Sequence, residues 1–226
     1  MRINKNKLSL KNKLRLKNKL SLFVSFLFLM GFLWVAHGVH SNEPWIMELD
    51  YYGNEIFRLD ISREATAIIF WFTQIGNITN LLYVALLLGA LLLYNKEKHS
   101  FLWFGISMGI TGGLTPLVLK QAFGRARPND GMMTRVGYSF PSGHTMGTLA
   151  LYGLVIILAA IYIKKAWLRY TVMISSLAII LMIAWSRIHL GVHYLSDILG
   201  SLFLGLSFLI VARLILSHFN GESEGY

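Results

Sequence analysis

Residues 185–200 read WSRIHLGVHYLSDILG and place charged, titratable side chains between two long apolar runs. On a helix, residues four positions apart lie on one face, so this spacing predicts that Asp197 lies beside His193. A carboxylate in that place orients an imidazole as a base or a nucleophile. Arg187 could bring a planar cation to an oxyanion held nearby. Taken alone, the stretch is equally compatible with a polar cluster that closes a gap between helices.

The composition around this stretch predicts a membrane protein. Of the 226 residues, 55% are hydrophobic and only 14% are charged. The apolar residues fall in runs of about 20, the length of helix that crosses a hydrocarbon core about 30 Å thick. The chain contains no cysteine, which excludes disulfides, thiolate catalysis and cysteine-ligated metals.

The positive charge is concentrated at the amino terminus, where eight of the 21 Lys and Arg residues lie in the first 19 positions. Residues 5–22 repeat the unit KNKLSL, KNKLRL, KNKLSL directly before the first apolar run. We interpret residues 1–19 as a cytoplasmic tail that anchors the topology and attracts anionic lipid. A secretory signal peptide fits less well, because no small-x-small cleavage site follows. A nucleic-acid-binding arm is disfavoured because interleaved aromatic residues are missing.

The apolar runs predict an all-α protein with six transmembrane helices. The predicted spans are approximately 20–36, 78–94, 101–119, 143–163, 170–185 and 194–216. They form one membrane domain over 20–216, followed by a cytoplasmic tail at 217–226. Segment 37–77 carries six of the 11 acidic residues and is predicted to be extracytoplasmic, with an amphipathic interfacial helix over 56–73. This topology leaves 14 basic residues inside and seven outside, as the positive-inside tendency expects.

Counting spans puts three polar clusters on the same outer face of the membrane. They are KQAFGRARP at 120–128, SFPSGHT at 139–145 and the stretch at 185–200. Between His144 and Arg187 lie 42 residues, about enough for one crossing inward and one crossing back at 1.5 Å per residue. We therefore expect the clusters to meet in space.

Together these clusters have the composition of a phosphate-binding site. Lys120, Arg127 and Arg187 are cations on a face where the positive-inside tendency disfavours them, which suggests that they bind an anion. Backbone N–H groups around Ser142 and Gly143 begin the fourth span, where the helix dipole also attracts an anion. The Ser142 hydroxyl is a further possible donor.

Two histidines complete the predicted chemistry. His193, oriented by Asp197, is the candidate nucleophile, and His144 is then available to protonate the departing alkoxide. Opposite protonation requirements in two histidines predict a bell-shaped pH dependence. Helix capping is the simpler alternative for both His144 and Ser142.

The surrounding cations would repel a divalent ion, so no metal or other cofactor is expected. His189 is interpreted as a helix-packing residue. Arg125 and Arg135 are interpreted as loop cations that widen the positive field or are solvated.

At these residues the sequence resembles the type 2 phosphatidic acid phosphatase (PAP2) family, whose signature is K-x6-R-P, P-S-G-H and S-R-x5-H-x3-D. The three parts appear here in order as Lys120 with Arg127-Pro128, then Pro141-Ser142-Gly143-His144, then Ser186-Arg187 with His193 and Asp197. The same core occurs in vanadium-dependent haloperoxidases. The resemblance implies metal-independent hydrolysis through a phosphohistidine at His193. It assigns phosphate binding to Lys120, Arg127, Ser142, Gly143 and Arg187, leaving-group protonation to His144, and support of His193 to Asp197.

The sequence therefore predicts a multi-pass lipid phosphatase of the cell membrane, with its site on the extracytoplasmic face and both termini in the cytoplasm. Candidate substrates are phosphatidylglycerol phosphate, phosphatidic acid, diacylglycerol pyrophosphate and undecaprenyl diphosphate. A lipid phosphotransferase that uses the same phosphohistidine, and a non-enzymatic lipid-phosphate binding or transport protein, stay open. The short, membrane-embedded chain disfavours a haloperoxidase. The oligomeric state is left open.

Overall fold

The computed structural model describes residues 2–58, 62–129, 131–132 and 136–223, with side chains from residue 15 onward except those of 63 and 220–223. Within these residues the chain forms α-helices and no strand. The helices are α1 Arg2–Ser41, α2 Pro44–Phe57, α3 Arg63–Thr73, α4 Ile78–Tyr94, α5 Lys98–Met108, α6 Thr115–Phe123, α7 Gly143–Tyr162, α8 Ala166–His189 and α9 Leu195–Ser223. The predicted all-α class is confirmed.

Five apolar helical segments are long enough to cross a bilayer, and a bent segment makes a possible sixth. The five are Arg15–Ser41, Lys98–Phe123, Gly143–Tyr162, Ala166–His189 and Leu195–Phe219. The sixth joins Glu64–Gly76 to Ile78–Tyr94 at an angle of 45°. Counted in this way, the six predicted spans are all present, and every one except Gly143–Tyr162 is longer than its predicted span.

Segment 56–73 does not form the single helix that was predicted. The segment contains the end of α2 and all of α3, and residues 59–61 between them lie outside the described ranges. Ser62 is the N-cap of α3, and its hydroxyl oxygen accepts a hydrogen bond from the Ala65 amide at 3.1 Å. Asn77 is extended, with φ −70° and ψ 142°, and this breaks the helix between α3 and α4. Helix α3 thus forms one half of the bent segment that makes the sixth candidate span.

The third span contains a wide helical turn at Gly109–Leu114, between α5 and α6. Pro116 lacks an amide hydrogen and its ring would clash with the carbonyl four residues earlier, so a regular α-helix is disfavoured there. The Thr115 hydroxyl donates to the Ile110 carbonyl at 2.8 Å and satisfies one of the displaced acceptors. The third candidate span therefore widens locally at this turn.

Helix α7 lies at the centre of the bundle, packed against α8, α9 and the wide turn. Its most hydrophobic 18-residue stretch is 61% buried, more than that of any of the other four unbroken spans. Helix α1 packs antiparallel to α9, since Ser25 hydrogen-bonds Ser207 at 3.0 Å and Gly31 lies against the Phe203 ring. The amino end of α7 is therefore held at one end of the bundle between well-packed helices.

Candidate active site

His193 lies in a tight turn between α8 and α9, not on a helix as its spacing to Asp197 suggested. Helix α8 ends at His189, and Gly191 follows with φ +65°, a backbone conformation that favours glycine. A Cβ at Gly191 would stand 3.0 Å from the Gly131 Cα and 3.1 Å from the Arg58 guanidinium carbon. The turn that presents His193 therefore requires glycine for both conformation and space.

Asp197 nevertheless pairs with His193 as predicted, for a different local reason. It lies in the first turn of α9, where its Oδ2 accepts the Tyr194 amide hydrogen at 3.0 Å and closes the start of the helix. The same oxygen is 3.1 Å from Nδ1 of His193. Both residues are buried: His193 is 3% exposed and Asp197 is 0% exposed. The capping geometry of α9 thus holds the imidazole.

Arg127 defines the tautomer of His193. A guanidinium nitrogen of Arg127 lies 3.1 Å from Nε2 of His193. Arginine only donates hydrogen bonds, so Nε2 is the acceptor and the ring proton belongs on Nδ1, facing Asp197. The same guanidinium also donates to the carbonyls of Val192 at 2.9 Å and Gly137 at 3.0 Å. The lone pair of Nε2 consequently points towards the cations.

Lys120 lies in the last turn of α6, which ends at Gly124 in the left-handed conformation with φ +56°. Its ammonium donates to the carbonyls of Tyr138 at 2.6 Å and Ser139 at 3.1 Å. Its side chain also lies against the start of α7, 3.7 Å from the position that a Cβ would occupy on Gly143. The first and second sequence clusters meet at this point.

Arg187 is 1% exposed near the end of α8. Its guanidinium donates to the Thr73 hydroxyl at 2.9 Å, and Thr73 in turn hydrogen-bonds the Ser186 hydroxyl at 2.9 Å. Thr73 is the last residue of α3 and is fully buried. Thr73 could not be identified from the sequence pattern, because its place beside Arg187 depends on the bend between α3 and α4.

Ser142 caps α7, as the simpler alternative expected. Its hydroxyl oxygen accepts from the Thr145 amide at 3.4 Å and from the Thr145 hydroxyl at 3.0 Å. Since both bonds are accepted, the hydroxyl hydrogen of Ser142 remains available to donate to an anion. The Ser142 amide is 3.4 Å from the Asp197 carbonyl, so the second and third clusters also meet. Capping and phosphate binding are compatible at this residue.

The electrostatic environment favours neutral His193. Burial lowers the pKa of His193 well below its usual range, and the positive charges of Arg187, Lys120 and Arg127 lower it further. A neutral imidazole with its lone pair on Nε2 is a nucleophile, and the same cations attract an anionic electrophile.

Arg125 is a part-buried, paired cation in the loop after α6, and the alternative that it is a solvated residue is wrong. It lies between the carboxylates of Asp50 and Asp197, at 2.5 and 2.7 Å. Burial disfavours its charge, but the two carboxylates outweigh that effect and raise the pKa of Arg125. Asp50 could not be identified from the sequence pattern either, because it is 75 residues away in α2 and has no local signal. Arg135 lies outside the described residues.

His189 is buried, as a helix-packing residue should be. Its ring lies 5.0 Å from the Trp185 ring, and its Nδ1 is 3.2 Å from the Phe57 carbonyl oxygen. In the part of the chain that the structure describes, no group of three or more His, Asp or Glu side chains is arranged to hold a metal ion.

An apolar groove of about 400 Å³ runs from the site into the membrane-spanning region. It lies between α4, the wide turn of the third span and α7. At its polar end are Lys120, Gly143 and His144, and its apolar walls include Leu81, Ala85, Met108, Gly113 and Leu117. The glycines of the wide turn leave this space open. An anion at the site could therefore carry an apolar chain within the bilayer region.

Comparison with known proteins agrees with this arrangement. The sequence model of the PAP2 superfamily matches residues 100–220. Phosphatidylglycerophosphatase B of Bacillus subtilis (strain 168) is 28% identical over 148 residues, which cover 62% of this chain and 70% of that protein.

The fold also matches a solved structure, that of the first transmembrane PAP2-type phosphatidylglycerolphosphate phosphatase from Bacillus subtilis. The TM-score is 0.76 at 23% sequence identity, over 87% of this chain and 97% of the other. The family match spans more than half of the sequence and all three clusters that the fold brings together, and the chain therefore belongs to the PAP2 superfamily.

Proposed function

We propose that this protein is a membrane lipid phosphatase that removes phosphate from a lipid phosphate or diphosphate through a phosphohistidine at His193. The observation that carries the proposal is the arrangement of His193, whose Nδ1 is held by Asp197 and whose Nε2 lone pair faces Arg127. That arrangement presents a neutral nucleophile to the place where a phosphoryl group would be bound.

In the first step, Nε2 of His193 attacks phosphorus and a P–N bond forms while the bond from phosphorus to the lipid oxygen breaks. Lys120, Arg127 and Arg187 neutralise the phosphoryl oxygens, and His144 gives its proton to the leaving oxygen. In the second step, water gives a proton to His144 and attacks phosphorus. The P–N bond breaks, and inorganic phosphate and neutral His193 are released.

The groove supports a lipid as the source of the phosphate. It begins at Lys120 and His144 and continues between apolar walls at the depth of the membrane. A soluble phosphate ester would leave these walls exposed, whereas an acyl or polyprenyl chain would cover them. The named relatives act on phosphatidylglycerol phosphate, which makes this lipid the first substrate to test.

The proposed orientation places the site on the extracytoplasmic face of the cell membrane and both termini in the cytoplasm. The distribution of basic residues supports it, because the amino-terminal segment and the connections at the opposite end of the bundle from His193 carry most of the positive charge. A lipid phosphate in the outer leaflet would then reach the site laterally.

The test is release of inorganic phosphate by purified protein in detergent with EDTA present. The panel contains phosphatidylglycerol phosphate, phosphatidic acid, diacylglycerol pyrophosphate and undecaprenyl diphosphate, and a His193→Ala variant is the control. We expect EDTA-insensitive release that the variant lacks, with a reduction of about a thousandfold or more.

Three outcomes would contradict parts of the proposal. Release that EDTA stops and added divalent metal restores would contradict the metal-free reaction. Appearance of a phosphorylated lipid acceptor in place of free phosphate would favour the phosphotransferase. Folded protein that binds these lipids without turnover would favour the binding or transport protein.

A further inference from the structure

Arg125 and Asp50 form a second layer of charge behind the His193–Asp197 pair. One guanidinium nitrogen of Arg125 donates to Oδ1 of Asp197 at 2.7 Å, and the other donates to Oδ2 of Asp50 at 2.5 Å. Asp197 and Asp50 are 0% and 7% exposed, and Arg125 is 17% exposed. A part-buried cation with two buried carboxylates at hydrogen-bond distance is a strong electrostatic arrangement.

Ser196 fixes this layer in position. Its amide donates to Oδ1 of Asp50 at 2.9 Å and its hydroxyl donates to Oδ2 of Asp50 at 3.0 Å. The Arg125 guanidinium donates to the same hydroxyl at 2.7 Å and lies 4.1 Å from the centre of the Tyr194 ring. The plane of the guanidinium is thereby set by α2, by the start of α9 and by an aromatic face.

We propose that Arg125 and Asp50 are positioning residues for the phosphoryl transfer at His193. Arg125 holds Oδ1 of Asp197 so that Oδ2 faces the imidazole, and Asp50 holds Arg125. This inference rests on the proposed function only for the transfer step, because the contacts themselves link α2 to His193 whatever the reaction is.

The charges support a positioning role over a simple salt bridge. Asp50, Arg125 and Asp197 together carry one net negative charge, opposite in sign to the cation that forms on His193 when Nε2 attacks phosphorus. Neither Arg125 nor Asp50 hydrogen-bonds His193 directly, so both act through Asp197. The layer therefore stabilises the developing cation without occupying the phosphate site.

The test uses two near-isosteric variants, Arg125→Gln and Asp50→Asn, with Glu48→Gln as the matched control. Glu48 is an exposed carboxylate on the same helix as Asp50. We expect both test variants to lower kcat by about 10- to 100-fold, the effect of losing one charged hydrogen bond. KM should stay within about twofold, since Lys120, Arg127 and Arg187 are unchanged.

The pH dependence of His193 separates positioning from a general loss of structure. Besides Asp197, the charged groups that act on His193 are Arg187, Lys120 and Arg127, and none of them is altered. Removing the positive charge of Arg125 should raise the pKa of His193, and removing the negative charge of Asp50 should lower it. The acidic limb of the kcat/KM profile should therefore move in opposite directions in the two variants.

A titration of the ¹⁵N-labelled histidines by NMR, with His193 assigned from the His193→Gln variant, reads the same shifts without turnover. Opposite shifts in a protein that releases no phosphate would retain the positioning role and overturn the proposed function. Normal phosphate release with kcat and the His193 titration unchanged in both variants would overturn the positioning role alone. If Arg125→Gln does not fold, Asp50→Asn still decides, because a kcat and a titration equal to those of Glu48→Gln would overturn the proposal.

Discussion

At the scale of single residues, the proposed roles of His144 and His193 differ in how strongly they depend on the leaving group of the substrate. In the proposed reaction the nucleophile attacks every phosphate ester, whereas the general acid matters only when the leaving oxygen is strongly basic. The leaving group can therefore be used to distinguish the two histidines.

We expect His144→Ala to slow hydrolysis of a lipid phosphate by about 100- to 10,000-fold. The same variant should slow p-nitrophenyl phosphate far less, because nitrophenolate leaves without protonation. The measurement is kcat/KM for both substrates, with His99→Ala at the opposite end of the bundle as the control. An equal loss on both substrates would assign His144 to phosphate binding or structure instead.

The pH profile tests the electrostatic environment of His193. Only neutral imidazole attacks, and burial with the nearby cations lowers the pKa of His193, so the neutral form persists to a lower pH than in a solvated histidine. We expect the acidic limb of kcat/KM to fall at a pH below the ordinary histidine range, after correction for the measured ionisation of the substrate phosphate. Arg187→Gln removes one cation and should move this limb to higher pH; no movement would contradict the assignment of the limb to His193.

At the scale of elements, the wide turn of the third span should determine access of the lipid chain. Gly113 lines the groove, and a Cβ there would meet no atom within 4 Å, so a larger side chain fits without a clash. We expect Gly113→Leu to fill part of the groove and raise KM for a long-chain lipid phosphate by about tenfold or more. That is the effect of displacing two methylene groups at about 0.8 kcal/mol each.

The control for this variant is in the same span. A Cβ at Gly105 would also meet nothing within 4 Å, but Gly105 does not line the groove. Gly105→Leu should leave KM unchanged, and p-nitrophenyl phosphate should be hydrolysed equally by both variants. Equal KM values for the lipid in Gly113→Leu and the unaltered protein would show that the chain lies elsewhere.

The sequence predicted the helical elements and the assembly of the three clusters, because long apolar runs and their parity determine which ends meet. It did not predict the bend at Asn77, since an extended residue between two helices has no periodic signature. It suggested a helical position for His193, because residue spacing does not show that the Asp197 carboxylate caps the start of α9 and leaves His193 before the helix. It missed the link between Asp50 and Arg125, which depends on how α2 packs against α9.

At the scale of the whole molecule, the proposed orientation can be tested directly because the chain has no cysteine. Val136 is 97% exposed at the end of the bundle that carries the site, and Lys96 is exposed at the other end. In intact cells an impermeant thiol reagent should label Val136→Cys, and it should label Lys96→Cys only after the membrane is opened. The reverse pattern would invert the topology.

The packing of α1 along α9 also bears on how the protein is made. Because α1 is synthesised before α9, the buried face of α1 around Phe32, Val35 and Val39 has no α9 to cover it until α9 itself has been made. Asp197 lies on the same helix, α9. Packing of α9 on α1 and formation of the His193–Asp197 pair therefore depend on the same helix, and a chain interrupted before α9 is inserted would lack both.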